Sequence, residues 1–194
     1  MRKLSLALAL VCLCWSTAAS AVPIQWSVAS GGNGNWYEHV SIAMEWHAAK
    51  TFSENRSYLG LQGHLVTITS AAEGDFLLVN GLVPTETWIG AFQDLSAPDF
   101  SEPSGGWRWV TGEPWDYENW FSWQPDNSPH DEDFVEIHTT GNWNDLPTEG
   151  SSFTDPRPVL VEYSTPIPEP STALLLGIGM MGLGMRRIRT RGEY

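Results

Sequence analysis

Apolar and polar positions run along the chain in blocks whose spacing changes several times. From Trp36 to about Asn55 the apolar residues Val40, Ala43, Met44, Ala48 and Phe52 recur near helical spacing, with Trp46 close to that face, which predicts a first helix. Gly60 and Gly63 break it. Leu65–Ile68 reads as a short apolar strand, and Ser70-Ala71-Ala72-Glu73 has the form of a capping box opening a second helix to about Asn80. Pro84 stops any continuation. Thr87–Phe92 reads as a buried strand, with Trp88-Ile89-Gly90 as core, and Gln93–Gly106 as a loop. Trp107–Val110 alternates large apolar and polar groups like a half-buried strand, and Thr111-Gly112-Glu113-Pro114 turns. Phe134–His138 is the next strand, with Val135 and Ile137 on one face; Gly141-Asn142 is a turn signal, and Val159–Tyr163 is the last strand. Two helices among short strands predict an α+β domain.

The two ends of the chain follow other patterns. Residues 1–21 carry Arg2 and Lys3, an apolar run from Leu4 to Trp15 and the small residues Ala19-Ser20-Ala21, the form of a cleavable secretory signal. An uncleaved anchor is the competing reading, and the run is short for a membrane span. Between that segment and Trp36, Val22–Asn35 alternates weakly and ends in a Gly- and Asn-rich entry. Beyond Tyr163, residues 164–171 form a Pro-rich linker. Residues 172–194 hold an uncharged apolar run to Met185 and then four arginines. As a helix the apolar run reaches about 21 Å, against a bilayer core of about 30 Å. It is a marginal span, with its arginines expected to stay cytoplasmic.

Charge narrows the function. Between residues 22 and 167 four basic residues face 21 acidic ones, a net −17. Such a body does not bind nucleic acid by neutralising phosphates. Both cysteines, Cys12 and Cys14, lie in the N-terminal run, so the mature domain is expected to have no disulfides.

One stretch concentrates oxygen donors. Asn119 to Asp145 holds Gln124-Pro125-Asp126-Asn127, then Asp131-Glu132-Asp133, then Trp143-Asn144-Asp145, interleaved with Trp120, Phe121, Trp123 and Phe134. A hard cation such as calcium takes about six to eight oxygens from carboxylates, amide carbonyls and backbone carbonyls. The absence of cysteine disfavours a soft metal. A cis bond at Pro125 would let Gln124 and Asp126 aim inward together. A solvated acidic loop is the competing reading of any one cluster, and the three together favour a site.

These residues resemble the C-type lectin domain, whose primary calcium site uses a Glu-Pro-Asn or Gln-Pro-Asp tripeptide, an acid eight positions after its first member, and a Trp-Asn-Asp triplet. Here Glu132 stands eight after Gln124, and Trp143-Asn144-Asp145 is intact. Gly63-His64-Leu65-Val66-Thr67-Ile68, Trp88-Ile89-Gly90 and Val161-Glu162-Tyr163 extend the resemblance over about Trp36 to Tyr163. It implies a C-type lectin-like fold within residues 22–163: two helices flanking small antiparallel sheets, with a long calcium-binding loop. It also implies Ca2+ held by Gln124, Asp126, Glu132, Asn144 and Asp145, with the same five residues meeting two adjacent sugar hydroxyls. A second calcium on Asn127 and Asp133 with Glu132 is a further expectation, although the acids Asp94, Asp99 and Glu102 match its spacing poorly. The places that hold cysteines in animal relatives fall at Phe134, Thr148 and Val161, so calcium and folding are expected to be strongly coupled. Pro168-Glu169-Pro170, the apolar run and the arginines resemble the PEP-CTERM sorting tail, which implies processing by an exosortase after export across a Gram-negative inner membrane, with a plain C-terminal anchor as the alternative.

The resemblance implies a carbohydrate partner. In animal relatives the Gln-Pro-Asp order accompanies galactose-type sugars, but the aromatic shelf that usually follows the tripeptide is missing from Asn127–Asp131, leaving Trp123 or His130 as substitutes. Two rival readings stand beside the lectin. One is a structural or adhesive domain whose calcium only orders the loop. The other is a calcium-assisted hydrolase using Glu132 or Asp133 as base near His130, disfavoured because no nucleophile and His pair has a recognisable spacing.

Overall fold

A computed structural model of the chain describes residues 22–128, 131–147 and 156–164. The expected signal segment, most of the linker, the apolar tail, His130 and Thr148 lie outside the described residues. After a two-residue strand β1 (Ile24–Gln25), the stretch expected to be one helix divides into strand β2 (Trp36–Met44) and helix α1 (Trp46–Glu54). The first half of the expected helix is therefore corrected to a strand. Its residues Trp36 to Val40 pair antiparallel with residues 159–163, and this ladder outweighs the weak helical spacing. Glu45, in extended conformation, separates strand from helix.

A hairpin of β3 (Ser57–Tyr58) and β4 (Leu61–Leu65) follows, turned by Leu59 (φ 51°) and Gly60 (φ 83°). Two positive φ values make the tight turn whose twist suits a two-residue hairpin. Helix α2 (Ala71–Val79) begins where the capping box predicts: Ser70 Oγ accepts the Glu73 N–H at 3.3 Å. The Glu73 carboxylate closes on the backbone N–H of Thr69 (2.8 Å), one residue earlier than in the usual box.

The remaining strands are β5 (Thr87–Gln93), β6 (Trp107–Trp109), β7 (Phe134–Ile137), β8 (Trp143–Leu146) and β9 (Arg157–Ser164). The expected small antiparallel sheets join into one mixed sheet, in the order β1-β2-β9-β5-β7-β8, with β4 also on β9 and β6 on β5. The link between its halves is the parallel pairing of β5 with β9 at Trp88 and Val159. Gly90 is required there. Its N–H donates to Val66 O at 2.7 Å, and a Cβ would stand 2.7 Å from Leu65 O.

Two apolar clusters fill the interior. One gathers Tyr37, Ile68, Leu77, Trp107, Trp109 and Trp143; the other Trp46, Leu65, Trp88, Val159 and Tyr163. Two indoles of the second cluster are also hydrogen-bonded: Trp46 Nε1 donates to Ile89 O (2.9 Å) and Trp88 Nε1 to Met44 O (2.8 Å). No helix of the described residues is long and apolar enough to cross a membrane.

Candidate cation site and its surroundings

The β7–β8 hairpin sets the site's frame. Its register pairs Val135 with Asp145, Glu136 with Asn144 and Ile137 with Trp143. The preceding loop is tied to the same hairpin by backbone bonds, Trp143 N–H to Asn119 O (2.8 Å) and Phe121 N–H to Trp143 O (3.0 Å), and by the Asn119 side-chain amide donating to Gly141 O (2.8 Å). Trp143 is fully buried against Trp109, Trp115, Tyr117 and Trp120, with ring centroids 5.6–5.8 Å apart. Aromatic packing thus braces a loop that has no cysteine.

On that frame Asp126, Glu132 and Asp145 converge. One carboxylate oxygen from each lies within 4.8 Å of the others, and no other such trio of His, Cys, Asp or Glu occurs among the described residues. The Gln124–Pro125 bond is cis. Asp145 accepts the N–H groups of Asp126 (3.1 Å) and Asn127 (2.9 Å), so the tripeptide is anchored directly on the Trp-Asn-Asp strand. The Ser128 N–H reaches Glu132 (3.0 Å) and Asp126 (3.2 Å). Asn127 and Asp131 adopt positive φ of 49° and 63° to turn the loop.

Electrostatically the trio is short of positive charge. Glu132 and Asp145 are 4 % and 1 % exposed. Burial, then the Asp145 carboxylate, push Glu132 up to about 7. Burial also raises Asp145, against the pull of the N–H groups it accepts. Gln124 adds a buried side-chain oxygen, Oε1, with no hydrogen-bond donor. A buried acceptor left without a partner costs free energy. An all-oxygen set of close carboxylates and an unpaired amide oxygen fits a hard divalent cation, which would supply the missing charge and a partner for that oxygen.

The other expected ligands sit differently. Asn127 Oδ1 accepts the Glu132 N–H at 2.9 Å and so is engaged within the loop. Asp133 is half-buried, and burial together with Glu102 and Asp131 raises its pKa. The amide nitrogen of Asn144 donates to Glu136 Oε1 at 3.3 Å. Glu136, which the sequence reading passed over as a strand residue, is 2 % exposed and also accepts from Arg157 Nε at 2.7 Å. The signal was legible: a hairpin turning at Gly141-Asn142 brings Glu136 opposite Asn144. Trp123, just before Gln124, is 74 % exposed.

A two-helix domain with a mixed sheet and a cation-type loop seated on a Trp-Asn-Asp strand is the C-type lectin fold. The chain belongs to the Lectin C-type domain family, which matches residues 42–152, and residues 166–189 match the PEP-CTERM protein-sorting motif. It is 34% identical over 147 residues to halomucin of Haloquadratum walsbyi, covering 68% of this chain and 1% of that protein. It is 36% identical over 120 residues to human asialoglycoprotein receptor 2, covering 57% of this chain and 35% of that protein. The chain therefore spans only a minor part of these relatives. Among solved structures it resembles the mouse scavenger receptor C-type lectin carbohydrate-recognition domain, at 27% identity and TM-score 0.53, covering 68% of this chain and 91% of that one. It also resembles the cow CD23 carbohydrate-recognition domain, solved in the presence of a GlcNAc2Man3 oligosaccharide, at 28% identity and TM-score 0.53, covering 68% and 89%.

Proposed function

We propose that residues 22–163 form a calcium-dependent glycan-binding module, exported and displayed at a bacterial surface. The observation that carries this reading is the convergence of Asp126, Glu132 and Asp145 within 4.8 Å. The unpaired Oε1 of Gln124 adds to it. Gln124, Asp126, Glu132, Asn144 and Asp145 hold the ion and meet two vicinal sugar hydroxyls; bound calcium supplies open coordination positions for those hydroxyls. The side chains read the hydroxyls by polarity, carboxylates accepting their hydrogens and amides donating to their oxygens. The Gln124-Pro125-Asp126 order points to a galactose-type sugar. Membership of the family supports sugar binding, as does the resemblance to two carbohydrate-recognition domains.

The PEP-CTERM match supports export across the inner membrane, handling by an exosortase and presentation at the cell surface or in its matrix. Affinity for one sugar on an open ion site is expected to be weak, since extracellular calcium modules have Kd near about 10⁻⁴–10⁻³ M. Many displayed copies would provide retention on exopolysaccharide. A glycan array probed with calcium and again with chelator tests the function, and equal signals in the two would overturn it.

A second reading has Trp123 in its favour. An indole 74 % exposed at the entrance of the loop suits contact with protein or matrix, with calcium ordering the loop alone. In that case calcium raises the melting temperature while no sugar competes for the partner.

A further inference from the structure

The two residues assigned to the ion from the Trp-Asn-Asp strand are held in different ways. Asp145 is buried and anchored on the tripeptide by two backbone N–H groups, whereas Asn144 is half-buried and its amide is held from the neighbouring strand. An amide can present either its oxygen or its NH2 to a given side, and only the oxygen serves a cation. Something must choose between them.

Glu136 stands where that choice is made. It lies directly opposite Asn144 in the β7–β8 ladder, and its Oε1 takes the Asn144 Nδ2 at 3.3 Å. An ionised carboxylate only accepts, so it admits the NH2 end and leaves Oδ1 as the end a cation meets. Glu136 is in turn oriented by two further side chains. Arg157 Nε, on β9, donates to Oε2 at 2.7 Å, and His138 Nε2 stands 3.2 Å from Oε1. Only four Lys or Arg occur between residues 22 and 167, and one of them is placed behind this carboxylate. Glu136 also lies close enough to the carboxylate trio for its charge to bear on Glu132.

We infer that Glu136, held by Arg157, is a positioning residue that fixes the orientation of the Asn144 amide and so completes the cation site. The inference rests on the calcium reading above and goes beyond it by adding two residues that touch neither ion nor sugar. Partners of this kind, one step behind the ligands, change metal affinity by about 10–100-fold when removed.

The test is calcium titration by calorimetry on the full chain, with melting of the calcium-free protein as a second readout. Glu136→Gln keeps the shape but can pair with either end of the Asn144 amide, and it should bind calcium about tenfold or more weakly. Asn144→Ala removes the group through which Glu136 acts, so adding Glu136→Gln to it should weaken calcium no further. Arg157→Lys keeps the charge and loses the directed bond. It should weaken calcium several-fold in the wild-type background and not at all with Asn144→Ala. It also serves where Glu136→Gln does not fold. A purely structural role would lower the calcium-free melting temperature and leave calcium affinity unchanged, which overturns the inference. Equal weakening with and without Asn144 would overturn it as well, by showing a general charge effect. A wild-type chain that binds no calcium overturns the calcium reading and this inference together, whereas wild-type binding with unaffected variants overturns this inference alone.

Discussion

At the scale of single residues, burial of acids is the dominant feature. A net charge this negative reads as a solvated surface, yet Glu38, Glu73, Glu132, Glu136, Asp145 and Glu162 are all at most 4 % exposed. Their surroundings differ. Arg56 Nη2 gives 2.7 Å bonds to both oxygens of Glu38, and the Tyr163 hydroxyl donates to the same carboxylate. Glu132 has one backbone donor, from Ser128, which does not offset its burial and then the Asp145 and Asp126 carboxylates beside it, so its pKa rises to about 7. The calcium proposed for this site would require the ionised form, so protons would compete with it for Glu132. Calcium affinity is therefore expected to fall steadily as pH drops below about 7. Titrations at pH 8, 7 and 6 would measure this. Glu132→Gln, which lacks the charge, should bind about tenfold or more weakly at pH 8 with little of that pH dependence left.

At the scale of elements, the loop-on-hairpin assembly takes the place of covalent bracing. Phe134, at one of the places expected to hold cysteine in animal relatives, packs on Trp46 with ring centroids 4.4 Å apart and so joins β7 to α1. Val161, at another, lies in the same apolar cluster. Trp143 does the corresponding work for the loop, through its backbone bonds to Asn119 and Phe121 and its indole among four aromatic rings. Trp143→Ala is expected to lower the free energy of unfolding by about 3–5 kcal/mol, as large aromatic deletions from cores do. It should also release the tripeptide from Asp145. Chemical denaturation run with and without calcium would show both: a lower midpoint, and loss of the extra stability that calcium is expected to confer on the wild-type domain.

At the scale of the whole molecule, a second buried polar group ties the N-terminal entry, α2 and β9 together. The Tyr37 hydroxyl donates to Glu73 (2.6 Å), Asn35 Nδ2 to Glu162 (2.7 Å) and the Thr67 N–H to Glu162 (3.1 Å). Burial, then the Glu73 carboxylate, push Glu162 up to about 8. The folded chain thus holds this proton more tightly than the unfolded chain, where a glutamate titrates near about 4.3. Its contribution to stability is full below that pH and is lost as pH rises through about 8. The calcium-free domain is accordingly expected to melt at a lower temperature at pH 9 than at pH 6, and Glu162→Gln should flatten that difference in thermal scans. Much of the molecule was legible from the chain alone. The capping box at Ser70, the strand through Trp88-Ile89-Gly90 and the spacing of Gln124, Glu132 and Trp143-Asn144-Asp145 are local patterns, written in nearby residues because turns, caps and short motifs act over a few residues. Position 36 was not legible, because apolar residues there suit a helix or a strand equally, and only a partner 127 residues away, Tyr163 in β9, decides between them. The buried roles of Glu136 and Glu162 were hidden for the same reason: a carboxylate reads as surface until the fold brings donors to it from distant segments. Local chemistry lay in the sequence, and long-range pairing, which carries no local signal, was settled by tertiary structure.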